Sequence, residues 1–429
     1  MARWPGKRRF YSGGVDEPED RPAQVSSLRP IALAAYGPTA LGSIGIGAAM
    51  PVLALTAREL GASVQLASLV VALLGLSHLV VDLPAGALAA RIGERPALIL
   101  AFAAEALALG GCALAQTLGW LLVAVAVLGA TGAVLGLARQ AYLTEAVPVR
   151  LRARALSTLG GVHRIGVFLG PFVGALVIAR WGLQAAYAVG VVASLGGAIV
   201  LLLTADIAAG HSSAGRAARA SGIERPSVWS VLAAHRKVLA TVGVGVLVVS
   251  AVRATRPAVL PLWAESIGLD AATTALVFGL SGAVDMLLFY PAGWVMDHWG
   301  RVAAVVPSLL VLGAAFLLVP LAGSLWALVA VACLIGLGNG ISAGIVMTLG
   351  ADASPQIGRA QFLGGWRLMA DAGNTAGPLA VSAIVAVASL GMASVAIGLL
   401  AWAGAGWLRV WVPRYDPVSR ATLAGRMGR

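Results

Sequence analysis

The sequence predicts an all-α membrane protein with twelve membrane-spanning helices in two related halves. Apolar residues make up 59% of its 429 residues and charged residues only 11%, whereas a soluble domain carries about 25% charged residues. Runs of about 20 apolar residues, the length that crosses a bilayer as a helix, recur along the chain. The segment from Glu145 to Pro171 also recurs from Asp352 to Pro378, at a constant offset of 207 positions. Composition, run length and repeat together indicate a duplicated helical membrane protein.

The repeat extends over most of the chain. The offset that relates Glu145 to Asp352 also relates Arg152 to Arg359. Further pairs at this offset are Pro148 and Pro355, Gly170 and Gly377, Pro171 and Pro378, Pro84 and Pro291, Gly86 and Gly293, and Gly93 and Gly300. A register kept over this distance indicates a duplication and not a chance similarity.

Twelve apolar runs, separated by short polar breaks, can be counted. They lie at 31–56, 65–88, 97–117, 119–145, 155–179, 183–204, 236–262, 270–295, 302–323, 325–350, 361–387 and 392–412. Six fall in each half, so we expect an N-terminal bundle over 30–204 and a C-terminal bundle over 236–413. The polar, basic segment 205–235 is the expected linker, and 1–29 and 414–429 are the expected tails.

Basic residues and tryptophans predict the orientation in the membrane. Of the 30 Lys and Arg residues, 23 fall in the tails and in the alternate loops that an arrangement with a cytosolic N-terminus places in the cytosol. Four tryptophans lie at the opposite helix ends, where their rings favour the outer interface: Trp120, Trp181, Trp263 and Trp326. We therefore expect two cytosolic tails and a multi-pass protein of the cell (inner or plasma) membrane. The net charge of +12 follows from this topology, so no nucleic-acid partner is expected.

The sequence gives no sign of an enzyme, of a metal site or of a bound cofactor. Cys112 and Cys333 both lie in apolar runs, which excludes a disulfide framework or a Cys-rich metal site. The five histidines are scattered, without the spacing of a catalytic or metal-binding group, and the chain has no ATP-binding loop. A proton gradient is therefore the expected source of energy.

A short turn follows the second apolar run of each half. GALAARIGER begins at Gly86, and GWVMDHWGR begins at Gly293 and contains the pattern G-x-x-x-D-x-x-G-R. With its twelve runs, its duplication and this motif, the region 30–413 resembles the major facilitator superfamily of transporters. The resemblance implies two six-helix bundles that rock against each other and expose a site at mid-membrane to either side in turn.

In such transporters the turns act as a cytosolic gate. Glycines permit the tight turn, and the acidic residue and the arginine can pair with charges or helix ends of the next bundle when the inner side is shut. Ala90 replaces the acidic residue in the first turn, so we expect an asymmetric gate. The expected gate residues are Gly86, Arg91, Gly93, Arg95, Glu145, Arg152, Gly293, Asp297, Gly300, Arg301, Asp352 and Arg359. The alternative is that the turns only carry the charge that sets the topology.

The fifth run carries a second motif. The segment G-V-F-L-G-P-F-V-G, from Gly166 to Gly174, partly resembles the motif of drug and proton antiporters, with Ser157 and Ala175 in place of two of its glycines. The basic residue that these antiporters have near the start of the fourth helix is absent. Small residues allow close helix packing and proline bends a helix, so the expected bending positions are Gly166, Gly170, Pro171, Gly174, Gly377 and Pro378. Packing alone is the alternative role.

Ionisable residues inside the runs form a symmetric pattern. The offset relates His78 to Asp285 and Arg164 to Asp371, all about ten residues, or ~15 Å, from the cytosolic side. In the superfamily the second helix faces the eleventh and the fifth faces the eighth. The contacts that this implies are Arg164 to Asp285, His78 to Asp371, and Asp82 to Arg367. We expect these groups to couple bundle movement to protonation, with the cavity open to the outside when the contacts form; a static network is the alternative.

The first, fourth, seventh and tenth helices line the central cavity in this superfamily. The candidate cavity residues are Tyr36, Ser43, Met50, Glu105, Arg139, Arg253, Arg256, Asn339 and Met347. Glu105 and Arg139 could instead pair within the first bundle. Arg253 and Arg256 have no evident acidic partner, and the first run carries no carboxylate, which favours an anionic or neutral substrate over a cationic one.

Together these features favour a secondary transporter that exports an organic amphiphile by proton antiport. An importer working by symport or uniport, or a lipid-moving transporter of the same fold, is the alternative. A sensor or scaffold without transport is a third class. The expected partners are membrane lipid, a small organic substrate and protons, with a monomer favoured.

Overall fold

The computed structural model of the protein describes residues 32–147, 149–204 and 227–415, which are helical throughout apart from short turns. The predicted N-terminal tail, most of the predicted linker and all but residues 414 and 415 of the predicted C-terminal tail lie outside the described residues. Within these ranges the long helices are α1 Leu33–Glu59, α2 Val64–Ile92, α3 Glu94–Ala113, α4 Leu118–Ala146, α5 Val149–Trp181, α6 Ala185–Leu203, α7 Arg236–Ser266, α8 Ala271–Trp299, α9 Val302–Leu321, α10 Leu325–Ala353, α11 Arg359–Val385 and α12 Leu390–Arg414.

Eleven of the long helices in the described part of the chain are apolar enough to cross a membrane. The remaining one, α11, is 27 residues long, but Arg359, Arg367 and Asp371 lower its apolar content. Each of the twelve predicted runs lies on one of these helices, which confirms the predicted fold class. The largest difference is at α5, which begins at Val149 and not at residue 155. The orientation of the tails and the domain limits stay predictions.

The duplication is visible in the ends of the helices. Ser63 caps the start of α2, and Asp270, its counterpart at the same offset, caps the start of α8. Thr117 and Ser324 form the equivalent pair of caps on α4 and α10. In each case the side-chain oxygen accepts a hydrogen bond from a backbone N–H that the helix leaves unpaired. The backbone and hydroxyl hydrogen bonds from Thr273 lower the pKa of Asp270 from its ordinary value.

Glycines bring pairs of helices into backbone contact. A Cβ on Gly170 of α5 would lie 2.5 Å from the carbonyl oxygen of Ile44 and 2.6 Å from the amide nitrogen of Ala48, both on α1. Gly377 of α11 packs in the same way against Ala251 of α7, and Ala251 is the counterpart of Ile44. The proline after each glycine lies inside its helix, and both helices continue past it. The repeated motif thus sets close packing of α5 on α1 and of α11 on α7.

The helices form two six-helix bundles, α1–α6 and α7–α12. The C-terminal bundle has an apolar core that includes Phe316 and Phe362, and the N-terminal bundle has clusters that include Tyr142 and Leu201. The bundles meet where α2 packs along α11 and α5 packs along α8. These are the two helix pairs that the family resemblance implies.

The two bundles are tied together at the end that carries the α1–α2 and α7–α8 turns, which we call the outer end after the predicted topology. One buried apolar cluster contains Leu53 of α1 together with Leu262 of α7 and Ala275 of α8. Beside it, Arg58 Nε donates hydrogen bonds to both carboxylate oxygens of Glu265, at 3.0 and 3.1 Å. Arg58 and Glu265 are counterparts under the offset, so the closure is itself symmetric. The outer end is closed in this arrangement.

Toward the inner end, each buried apolar cluster of the described residues belongs to one bundle. Ala35, Leu143 and Leu159 form one such cluster in the N-terminal bundle. A second, around Leu98 and Leu201, is also confined to that bundle. Apolar packing therefore joins the two bundles at the outer end, whereas at the inner end the apolar clusters pack helices of the same bundle together.

Replacing Gly170 by Ala is expected to destabilise the protein, because the added methyl group would push α5 off the backbone of α1. Overpacking of this kind costs about 1–3 kcal/mol. A melting curve in detergent should show a lowered Tm for Gly170→Ala. Gly160→Ala is the matched control on the same helix, since nothing lies within 4 Å of its added Cβ. Equal Tm values for the two variants would contradict close α1–α5 packing.

Replacing Glu265 by Gln is expected to increase the population with an open outer end, because it removes a charge pair between the bundles. A partly exposed pair contributes about 0.2–1 kcal/mol, so the open population should rise up to about fivefold. Spin labels on the outer ends of α1 and α7 would report the distance distribution. Glu59→Gln is the control, since Glu59 accepts a hydrogen bond from Gln184 of its own bundle. An unchanged distribution in Glu265→Gln would show that the apolar cluster alone closes this end.

Candidate functional site

Four ionisable side chains meet where α2 packs on α11. His78 Nε2 lies 3.5 Å from Asp82 Oδ1, one helical turn away on α2. Arg367 of α11 reaches across the interface, with its Nε 3.7 Å from Asp82 Oδ2 and 3.5 Å from Asp371 Oδ2. Nitrogen and oxygen atoms of His78, Asp82 and Asp371 all lie within 4.8 Å of one another. The sequence analysis expected His78 near Asp371 and Asp82 near Arg367, and all four groups lie together in one cluster.

A second charged group lies where α5 packs on α8. Arg164 Nη1 of α5 is 3.9 Å from Asp285 Oδ1 of α8, as the symmetry of the sequence predicts. Arg256 Nη1 of α7 is 4.0 Å from the other oxygen of the same carboxylate. The guanidinium groups lie over the rings of Phe289 and Phe278, respectively. The expectation that Arg256 lacks an acidic partner is therefore wrong: the rotation of α7 turns Arg256 toward α8.

These contacts are formed while the outer end of the molecule is closed. The expectation that they open the cavity outward when formed does not hold for this arrangement. Their separations of 3.5–4.0 Å are longer than a charge-assisted hydrogen bond of about 2.7–2.9 Å. They lie near the middle of the helices. The role of these six residues in proton coupling stays a prediction.

A cavity of about 350 Å³ lies inside the N-terminal bundle near its interface with the C-terminal bundle. Its polar wall includes Ser43 of α1 and His163 of α5, whose Oγ and Nδ1 atoms are 2.6 Å apart. Glu105 of α3 also lines it, with Oε2 accepting a hydrogen bond from Ser194 Oγ of α6 at 2.7 Å. Arg139 of α4 faces the same cavity. The rest of the wall is mainly apolar: Ile46, Met50, Leu74, Phe102, Leu128, Leu135 and Val167.

Among the described residues, Arg139 and Glu105 form no ion pair within 4 Å. The sequence left open whether Arg139 pairs with Glu105 or faces the central cavity, and the structure places it in the cavity wall. Ser194 takes the place of the expected partner of Glu105. Ser194 escaped notice in the sequence because a serine in an apolar helix is a common packing residue, with no charge to mark it.

A second cavity of about 210 Å³ adjoins the first and shares His163 and Val167 with it. It is lined by charged groups from both bundles: Arg164, Arg253, Arg256 and Asp285. His163 stands at the junction, yet the sequence analysis counted it only as one of the scattered histidines. Its position next to Arg164 inside an apolar helix was the signal that could have identified it.

Three predicted cavity residues lie elsewhere. The Tyr36 hydroxyl donates a hydrogen bond to the carbonyl oxygen of Ala155 at 3.3 Å and belongs to a contact between helices. Asn339 is 4% exposed, and its side-chain oxygen has no hydrogen-bond partner in the described part of the chain. Met347 is 75% exposed. None of the three lines either of the two cavities, because α1 and α10 turn these positions away from them.

The predicted gate residues of the second half pair within their own bundle. Arg301 Nε lies 2.8 Å from Asp352 Oδ2 of α10, and its Nη1 lies 3.2 Å from Asp297 Oδ1 of α8. The preceding Gly300 has a φ of +86°, and its counterpart Gly93 has a φ of +93°, a backbone shape that glycine adopts without strain. The expected contact with the next bundle refers to a state with a shut inner side and stays a prediction; in this arrangement Arg301 contacts Asp352 at the end of α10.

The gate residues of the first half also contact their own bundle. Arg95 donates hydrogen bonds to the backbone carbonyls of Leu201 and Thr204 at the end of α6, and Arg152 donates to the carbonyl of Val147. Arg91 of the first half and Arg359 of the second are exposed. In this arrangement the turns fasten neighbouring helices, and a gating role in another state stays a prediction.

Comparison with known proteins supports a transporter. The tetracycline resistance protein, class H, of Pasteurella multocida is 30% identical over 142 residues, which are 32% of this chain and 35% of that protein. The match thus spans about a third of the length of that curated relative. Among solved structures, nucleoside transporter NupG superposes with a TM-score of 0.73 at 12% identity, covering 89% of this chain and 99% of that one. A D-xylose-proton symporter superposes with a TM-score of 0.71 at 15% identity, covering 90% of this chain and 98% of that one.

These structural likenesses show the fold. The family assignment comes from the sequence itself, because the family model matches residues 38–255 and again residues 242–427. The two matches correspond to the two bundles, and the proteins of this family are transporters and not enzymes. The chain therefore belongs to the Major Facilitator Superfamily.

Proposed function

We propose that this protein is a proton-coupled transporter that exports an anionic organic amphiphile from the cell across the inner or plasma membrane. The observation that carries the proposal is the pair of adjoining cavities, one mainly apolar and one rich in arginine. A molecule with an apolar body and a negative head group would place each part in a matching wall. The junction at His163 is the point where the two parts would join.

The charge balance of the cavities favours an anion. Four arginines line them, Arg139, Arg164, Arg253 and Arg256, against two carboxylates, Glu105 and Asp285. Asp285 lies near two of the arginines, and among the described residues Arg253 has no ion-pair partner. Arginines held together in a low-dielectric cavity repel each other, and an anionic group between them relieves that repulsion. A neutral amphiphile fits the same walls less well, and a cation is disfavoured.

Asp285 supports a link between substrate and protons. It lies in the arginine-rich cavity and is approached by Arg164 from the N-terminal bundle and by Arg256 from the C-terminal bundle. Its Oδ1 atom is buried and accepts no hydrogen bond from the described residues. A proton on Asp285 would neutralise the carboxylate and free both arginines for a substrate anion. The same proton would loosen the α5–α8 interface.

The direction of transport rests on a separate argument. The relative with 30% identity is a resistance protein, which favours export by antiport. The chemistry of Asp285 favours the second candidate, symport, because a proton on Asp285 and an anion between the arginines assist each other's binding. A D-xylose-proton symporter also shares the fold. Export is the first proposal and proton-anion symport the second.

Energised inside-out vesicles with a pH-gradient dye separate the two directions. In antiport, an anionic amphiphile added to the bath should collapse the gradient. In symport, the same compound should collapse it only when loaded inside the vesicles. Neutral and cationic amphiphiles of the same apolar body serve as controls for the charge class. A gradient unaffected in both arms, with folded protein, would leave uniport or lipid movement and would contradict proton coupling.

Replacing Arg253 by Gln is expected to weaken binding of an anionic amphiphile about tenfold or more, because it removes one of the facing positive charges; tenfold corresponds to about 1.4 kcal/mol. This variant leaves no carboxylate without its ion-pair partner, since Arg253 forms no ion pair within 4 Å in the described part of the chain. Binding is measured by titration of the purified protein. Arg180→Gln, at the outer end of α5 and outside both cavities, is the matched control. Equal affinities for the two variants would exclude Arg253 from the substrate site.

Replacing Asp285 by Asn is expected to strengthen binding of an anionic amphiphile, because the carboxylate competes with the substrate for Arg164 and Arg256. Titration of the purified protein compares the affinity of the variant with that of the wild type. Equal affinities would contradict the role of Asp285.

A further inference from the structure

We propose that His78, Asp82 and Asp371 form a binding site for a divalent transition-metal ion, such as Zn²⁺, between the two bundles. His78 and Asp82 lie one turn apart on α2, and Asp371 is contributed by α11 of the other bundle. The proposal rests on the geometry of this cluster and not on the identity of the transported substrate.

The spacing of the ligand atoms is close to that of a metal site. In a tetrahedral site with bonds of about 2.1 Å, neighbouring ligand atoms are about 3.4 Å apart. His78 Nε2 and Asp82 Oδ1 are already 3.5 Å apart, and the Asp371 carboxylate lies within 4.8 Å of both groups. Asp371 would have to close a separation of at most 4.8 Å to about 3.4 Å to complete three ligands. His78 also lines the first cavity, from which water can supply the fourth.

Asp82 provides an independent reason to expect a ligand. It is 8% exposed, and neither of its carboxylate oxygens accepts a hydrogen bond from the described residues. One Asp371 oxygen, Oδ2, is buried without a hydrogen bond in the same way. Burying a carboxylate without donors is costly, and two carboxylates beside each other repel. A dication at their centre would offset both effects.

Arg367 is the present partner of this site and the competitor of the metal ion. Its Nε atom lies 3.7 Å from Asp82 and 3.5 Å from Asp371, so one positive charge faces two carboxylates. The Arg367 side chain is 35% exposed, which leaves it room to swing away. The Arg367 guanidinium also lies against α4 at Gly136, which has no side chain to block its movement. A metal ion would thus replace a guanidinium that balances half of the negative charge.

The donor set selects the type of metal. An imidazole nitrogen with two carboxylates suits Zn²⁺, Co²⁺ or Ni²⁺, whereas Mg²⁺ and Ca²⁺ favour oxygen donors alone. The ligands must be deprotonated to bind, so metal affinity should fall as the pH is lowered. The charged groups that face the site are Arg367 on α11 and Arg139 on α4. Both disfavour a cation, and movement of the Arg367 side chain away from the site would remove the larger obstacle.

The location of the site predicts the effect of the metal on transport. Two ligands are on α2 of the N-terminal bundle and one is on α11 of the C-terminal bundle. A bound ion would link the bundles through coordinate bonds in place of long ion pairs. Because the outer end is closed in this arrangement, the ion would hold that state and stop the rocking motion. Zn²⁺ is therefore an inhibitor of this transporter.

The test is calorimetric titration of Zn²⁺ into the full chain, free of purification tag and reconstituted in lipid nanodiscs. We expect one ion per chain in the wild type. His78→Asn and Asp371→Asn should each weaken binding more than tenfold. Arg367→Gln should tighten it, since the competitor is removed while the ligands remain. His298→Asn is the matched control, because His298 is an exposed histidine distant from the cluster, and its binding should equal that of the wild type.

Co²⁺ adds a readout that does not depend on the variants. A tetrahedral Co²⁺ site has intense visible absorption, which the wild type should show and Zn²⁺ should abolish by displacement. The proposal is overturned if the wild type shows neither stoichiometric Zn²⁺ binding nor this absorption. It is also overturned if Arg367→Gln binds no tighter than the wild type and His78→Asn no weaker. Because binding is measured without transport, failure of the proposed substrate or direction would not affect this result.

Discussion

The high cost of an unpaired charge in the middle of a membrane determines how the two bundles meet. Asp285 is partly buried at the α5–α8 interface, and it is approached by Arg164 from one bundle and by Arg256 from the other. Asp82 is more deeply buried at the α2–α11 interface, where Arg367 reaches it from the opposite bundle. Breaking the first contact takes the carboxylate away from Arg164, and breaking the second takes the guanidinium away from Asp82. A proton, a substrate or another ion that takes over the charge would therefore favour separation of the bundles.

Duplication gave the two interfaces the same backbone and different chemistry. The offset relates His78 to Asp285, so an imidazole in the first half corresponds to a carboxylate in the second. It also relates Arg164 to Asp371, so a guanidinium in the first half corresponds to a carboxylate in the second. As a result, the α5–α8 side has an excess of arginine and opens into a cavity, whereas the α2–α11 side has an excess of carboxylate. The proposed anion site is on the first side, and the proposed metal site is on the second. One fold thus presents opposite charges at two places of similar depth.

Close packing explains why the differences are confined to side chains. Gly170 and Gly377 hold α5 and α11 in backbone contact with α1 and α7, and neither position tolerates a larger residue without movement. These contacts therefore set the spacing of the two helix pairs in the same way in both bundles. The closure at the outer end, by apolar contacts and the pair of Arg58 with Glu265, is symmetric as well.

The sequence by itself determined the membrane class, the twelve spans and the pairing of α5 with α8 and α2 with α11. These features depend on local composition and on the repeat, together with the family resemblance for the pairing. The tertiary structure decided that Arg256 reaches Asp285, that Ser194 binds Glu105 and that His163 joins the two cavities. Which neighbour a side chain meets depends on the rotation and tilt of each helix. In a chain that is apolar on every face, hydrophobic periodicity carries no record of that rotation.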